Sequence, residues 1–169
     1  VKKYALEKGL HIMQPEKLKD ESFINELKEV KADLQIVVAF RMLPEVVWNM
    51  PPLGTYNLHG SLLPKYRGAA PINWAVINGE VESGVTTFKL KHEIDTGNML
   101  YQAKALISKT TTAGELHDTL MGVGADLILK SVKAIESGNY ELKPQDDTQS
   151  IHAPKIFKDT CKINWDQPV

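Results

Sequence analysis

Asn57 and His59 stand two residues apart in the stretch NLHGSLLPKYRG (57–68), and an acidic residue, Asp95, follows in the turn HEIDTG (92–97). On an extended strand, residues i and i+2 project from the same face, so Asn57 and His59 can reach one ligand. Attack on an acyl carbon builds up an oxyanion, and an amide N–H and an imidazole N–H are donors suited to stabilising it. An aspartate brought to the same pocket would orient the imidazole, favour its charged form and carry protons through a water. Such a site needs no Ser or Cys nucleophile if the attacking group is the substrate's own amine. Ser61 lacks the Gly-x-Ser-x-Gly elbow and reads as a loop hydrogen-bonder. The bland alternative makes Asn57 and His59 core polar residues satisfied by their neighbours, with no ligand at all.

Other chemistries fit less well. His59, His92 and Asp95 are not spaced as metal ligands, and no metal is expected. The glycines at 54, 60 and 68 form neither a dinucleotide fingerprint nor a phosphate-binding loop. The single cysteine, Cys161, excludes an internal disulfide and reads as an incidental thiol.

The elements that must position the cluster follow from pattern. A helical opening (VKKYALEKGL) leads to HIMQP (11–15), read as a short strand stopped by Pro15. Phe23, Leu27 and Val30 recur at helical spacing. The run LQIVVAF (34–40) has the β-branched, uninterrupted character of a central strand covered on both faces. A short helix is expected near Pro44, a strand over GTYNLH (54–59), and a helix over APINWAVING (70–79) with Pro71 in its first turn. GVTTFKLK and NMLYQAKALI should pair as a hairpin-like unit. Thr112 and Glu115 form a capping box, after which Leu116, Leu120, Val123 and Leu127 mark one helical stripe running to about Gly138. Gly122 and Gly124 within it suggest close packing. The chain from Tyr140 reads as an irregular tail. Alternating strands and helices argue for an open α/β sheet, in which ligands bind beyond the carboxyl ends of strands, where Asn57 and His59 fall.

The chain has 169 residues and a formal net charge of −1, a composition suited to one globular core and offering no basic field for nucleic acid or anionic membrane. No apolar run reaches membrane-spanning length, and a cytoplasmic monomer is expected. Lys65, Tyr66 and Arg67 read as solvated loop residues.

NLHGSLLPKYRGAAPINWAVINGE, followed by GVTTFKLKHEIDTGNML, closely resembles the catalytic domain of the folate-dependent formyltransferases, and the similarity runs from EKGLHIMQP to APKIFKDTCKINW. The resemblance implies a Rossmann-like, open and mostly parallel sheet, incomplete at its N-terminus, with residues 1–140 as the catalytic domain and 141–169 as an irregular tail leading toward a C-terminal domain. It implies that Asn57, His59 and Asp95 are catalytic, and that Ser61, Leu62, Leu63 and Pro64 form the loop contacting the folate. The pterin would rest against backbone near VAFRML (38–43). The formyl donor would be 10-formyltetrahydrofolate. Within the family, the continuation AAPINW and the turn DTG favour initiator methionyl-tRNA as acceptor over a nucleotide amino-sugar. The tRNA contacts would lie mainly in regions outside these residues. A non-catalytic folate-binding module is the other alternative.

Overall fold

A computed structural model describes residues 1–39, 42–163 and 165–166. The chain divides into two compact units, Val1–Gln35 with Phe40–Thr55, and Ile36–Ala39 with Tyr56–Val169.

The first unit carries α1 (Lys2–Glu7), α2 (Glu21–Glu29) and α3 (Glu45–Trp48). Neither α1 nor α2 has a fully buried residue, while Val47 of α3 is only 4% exposed. The Thr55 hydroxyl donates to the Trp48 carbonyl at 2.6 Å and closes the end of α3. The strand expected over 11–15 is not formed. Pro15 offers no N–H, and His11 turns its ring to Glu26 of α2 at 2.9 Å instead.

The second unit is built on a sheet of four strands in the order β1-β2-β4-β5, comprising β1 (Gln35–Val38), β2 (Thr55–His59), β4 (Glu82–Lys89) and β5 (Met99–Leu106). β2 and β5 both run antiparallel to β4. A separate parallel pair joins β3 (Arg67–Gly68) to β6 (His152–Ala153), so strand directions are mixed. β1, expected to be central, stands at one end of the described order, and Val38 is 53% exposed.

Helix α4 (Pro71–Ile77) starts with its proline at the position where a missing N–H costs nothing. α5 (Ala113–Ser137) begins at the expected capping box: the Thr112 side chain accepts from the Glu115 N–H, and the Glu115 carboxylate accepts from the Thr112 N–H at 2.8 Å. It ends at Gly138 in the left-handed conformation. Its buried stripe is Leu116, Leu120, Gly124, Leu127, Ser131 and Ile135, of which Leu116, Leu120 and Leu127 join Val85, Ala105 and Ile107 in the core.

Register decides which face of the sheet does what. Leu58 is opposite Thr87, and both point to α5: Leu58 lies over Gly124, and the Thr87 hydroxyl meets Ser131 at 2.8 Å. The alternation of a strand then puts Asn57, opposite Phe88, and His59, opposite Thr86, on the other face. The glycine at 124 admits the close approach of β2, since a Cβ there would lie 2.7 Å from Leu58 Cδ2. Gly122, expected to do the same, faces open space.

Candidate active site

His59 Nε2 lies 2.8 Å from the Tyr66 carbonyl, which can only accept, so Nε2 carries a proton. That contact turns Nδ1 toward Asp95, whose Oδ2 is 3.8 Å away. The two side chains are 8% and 16% exposed, so the pair is held largely out of water. The edge of the imidazole meets Phe88, with centroids 6.5 Å apart and rings at 79°. Three contacts thus hold the ring: a carbonyl, a carboxylate and an aromatic ring.

Asn57 is 6% exposed, and among the described residues its side-chain amide has no hydrogen-bond partner. None of the described fully buried side-chain N or O atoms lacks a bond, so the Asn57 amide keeps an opening to solvent. A nearly buried amide without a protein partner is suited to a ligand, because closing it off unpaired would cost about 1–3 kcal/mol.

Asp95 adopts φ +54°, a left-handed conformation uncommon outside glycine. Its Oδ2 accepts from the Gly68 N–H at 2.9 Å. Gly97 closes the turn beneath it: a Cβ at 97 would run into the Lys89 carbonyl, so the D-T-G spacing reflects a backbone contact.

The loop 61–64 is pinned from inside. The fully buried Ser61 hydroxyl donates to the Lys65 carbonyl at 2.6 Å, which makes it the expected loop brace. The Leu63 N–H donates to Thr86 Oγ1, and its carbonyl accepts from Gln102 Nε2 at 2.9 Å. Leu62 lies across Gly84, and the Leu63–Pro64 bond is cis. Ser61 and Leu63 turn their side chains into the protein, so they can offer a ligand only backbone; Leu62 and Pro64 are partly exposed.

Tyr66 and Arg67 are not the solvated residues expected. Tyr66 is 4% exposed at φ +61°, and its phenol donates to Glu80 at 2.7 Å and accepts from Asn78 Nδ2. Burial, and next the Glu80 carboxylate, push its pKa up. Arg67 donates to Gln145 and Asp147. The carbonyl of Tyr66, the N–H of Gly68 and Gln145 escaped sequence reading, because backbone groups have no side-chain signature and Gln145 lies fifty residues from Asp95. The segment 38–43 expected under the pterin includes Phe40 and Arg41, which lie outside the described residues.

Among the described residues, no group of three or more His, Cys, Asp or Glu is placed to hold a metal, and no helix is long and apolar enough to cross a membrane. A depression of about 280 Å³ belongs to the first unit and is lined by Leu27, Lys31 and Met50 among others; it shares no residue with the cluster.

The mixed sheet with helices packed against it defines an α/β protein of the Rossmann-like type, and solved structures share that fold. A sugar N-formyltransferase from a Shewanella species superposes with a TM-score of 0.79 at 23% identity over 98% of this chain and 65% of its own. HypX from Aquifex aeolicus, solved with tetrahydrofolic acid, gives 0.73 at 23% identity over 88% of this chain and 26% of its own. Residues 1–132 match the family described as formyl transferase, and the chain belongs to that family. It is 60% identical over its whole length to the methionyl-tRNA formyltransferase of Bacteroides fragilis, of which it covers 53%. The chain thus spans about half the length of the curated relatives it matches.

Proposed function

We propose that this chain forms the catalytic part of an enzyme that moves a formyl group from 10-formyltetrahydrofolate to the amino group of methionyl initiator tRNA. The observation that carries the reading is the unpartnered Asn57 amide on the same strand face as a His59 ring braced between the Tyr66 carbonyl and Asp95. The 60% identity to a methionyl-tRNA formyltransferase supports the choice of acceptor. The exposed parts of loop 61–64, Leu62 and Pro64 with the loop backbone, would meet the folate.

The acceptor amine attacks the formyl carbon, forming a new C–N bond, and the bond to N10 of the folate breaks. Asn57 Nδ2–H donates to the oxygen that gains charge, and the His59 ring adds its positive field when protonated. Asp95, 3.8 Å from Nδ1, is the counter-charge for that ring and the station that takes the amine proton through a water. The proton then passes to N10, so the reaction closes without a covalent enzyme intermediate. Residues 1–140 would supply this chemistry. The stretch 141–169 would lead toward the rest of a longer protein.

The test is formyl transfer by the protein at its natural full length, offered charged initiator tRNA and a nucleotide amino-sugar in parallel. Formylmethionyl product is expected, and Asn57→Ala should lower kcat by about 10²–10³, as loss of one oxyanion donor does elsewhere. His59→Ala and Asp95→Ala should also lower kcat, with folate affinity retained. Formylated sugar with untouched tRNA would overturn the acceptor. Unchanged kcat in all three variants would favour a folate-binding module.

A further inference from the structure

We infer that Gln145 is a positioning residue for Asp95, holding the turn 95–97 in the conformation that aims the carboxylate at His59. Its side chain reaches across from the segment after α5. Nε2 donates to the Asp95 carbonyl at 2.8 Å and to the Gly97 carbonyl at 2.8 Å. Oε1 accepts from Arg67 Nε at 3.0 Å and from Arg67 Nη2 at 2.6 Å. An amide has two donor hydrogens and two acceptor lone pairs, and all four are used here.

The partners also settle which way the amide points. Carbonyls only accept and a guanidinium only donates, so the flipped amide would set acceptor against acceptor and donor against donor. Arg67 is in turn held by Asp147 Oδ1 at 2.6 Å, and its side chain is 13% exposed against 78% for the aspartate. The next residue, Gly68, supplies the N–H to Asp95 Oδ2. The backbone of the turn and the carboxylate it carries are therefore tied to the same short strand, β3, one through Gln145 and the other directly. Asp95 needs this restraint because a non-glycine residue at φ +54° relaxes when its surroundings loosen. Beside it the segment is further fixed where Lys143 and Met99 exchange backbone hydrogen bonds at 2.7 and 2.8 Å.

The inference rests on the formyl-transfer reading for its kinetic consequence and on geometry alone for its structural one, so the two are separable. Gln145→Glu keeps the shape and the acceptor for Arg67 but presents an oxygen to the two carbonyls, which drives the turn away. In the full-length protein kcat should fall by about a hundredfold, the cost of a misplacement near an ångström, with KM for the folate within about twofold. In an Asp95→Ala background the same change should cost nothing further, because a residue acting through Asp95 has nothing left to position. Additive losses, or wild-type kcat in a folded Gln145→Glu protein, would overturn the inference. Gln145→Asn, too short to reach both ends, serves if the glutamate variant does not fold. Backbone amide resonances of residues 95–97 read the turn without turnover. Their displacement in the variant supports the positioning role even if the wild-type protein transfers no formyl group, an outcome that would sink only the proposed activity. Unmoved resonances would overturn the role itself.

Discussion

Tyr66 serves the site with its backbone and the fold with its side chain. Its left-handed φ aims the carbonyl at His59 Nε2, and the buried phenol, clamped between Glu80 and Asn78, keeps that conformation in place. Tyr56, 1% exposed, is sealed on the same strand as Asn57, and its hydroxyl meets that of Tyr140 at 3.3 Å. Burial, and then the Tyr140 hydrogen bond, drive the Tyr56 pKa well above its ordinary value of 10.0; Tyr66 is raised in the same direction. The sign follows from proton counting. Below about pH 10 both states hold these protons and no stability depends on them. Above it the unfolded chain releases protons that the folded chain keeps, so stability falls as pH rises, by at most about 1.4 kcal/mol per pH unit for Tyr56, with Tyr66 adding in the same direction. Urea titrations from about pH 9 to about pH 11 should show this decline, and Tyr56→Phe should make it shallower while costing under about 1 kcal/mol at neutral pH. A variant that declines in parallel with the wild type would assign the alkaline loss to other groups. At this scale the sequence exposes Asn57, His59 and Asp95 through residue type and strand period. It conceals the carbonyl, the N–H and the distant amide that orient them, because none of these is encoded by a local pattern.

Helix α5 shows how an element reports its environment. Its capping box and its leucine period are local signals, and both ends stand where those signals put them. Its two glycines look alike in sequence and differ in what they face. At Gly122 a Cβ would meet nothing within 4 Å, so Gly122→Ala should stabilise the helix by about 0.5–1 kcal/mol through reduced chain entropy alone. At Gly124 the added methyl would lie 2.7 Å from Leu58 Cδ2, so Leu58 must shift, and the propensity gain is offset by overpacking of about 1–3 kcal/mol. Thermal denaturation should therefore rank Gly122→Ala above wild type and wild type above Gly124→Ala. An equal gain in both variants would mean that β2 yields freely. Leu58 sits between Asn57 and His59 in sequence, so the Gly124 variant is also the one whose site is disturbed from the opposite face of the sheet. Strand position was less legible than helix position. The apolar run of β1 signals strand without saying which neighbours it has, and HIMQP carries a strand-like composition but finds no ladder to join.

The two units of the chain differ in what secures them, which no composition average of 169 residues reveals. In the second unit the sheet strands β4 and β5 exchange a long antiparallel ladder and are covered by the Leu116, Leu120 and Leu127 stripe of α5. The amides that form this ladder can exchange with solvent only when that core opens. In the first unit α1 and α2 have no fully buried residue, and the His11–Glu26 contact is an exposed pair, of a kind that contributes at most about 1 kcal/mol. Helices of six and nine residues are also too short to persist on propensity alone. Native-state hydrogen exchange should accordingly separate the units: the ladder-bonded amides of 84–88 and 100–105 and the amides of 116–135 should exchange at the rate of global unfolding, and those of 2–7 and 21–29 should open locally at far lower free energy. Uniform protection along the chain would show that the first unit draws stability from interactions beyond its own buried residues. The placement has a functional logic. Asn57, His59, Asp95 and Gln145 all belong to the unit with the continuous core, the part of the chain best able to hold the geometry that the proposed formyl transfer would require.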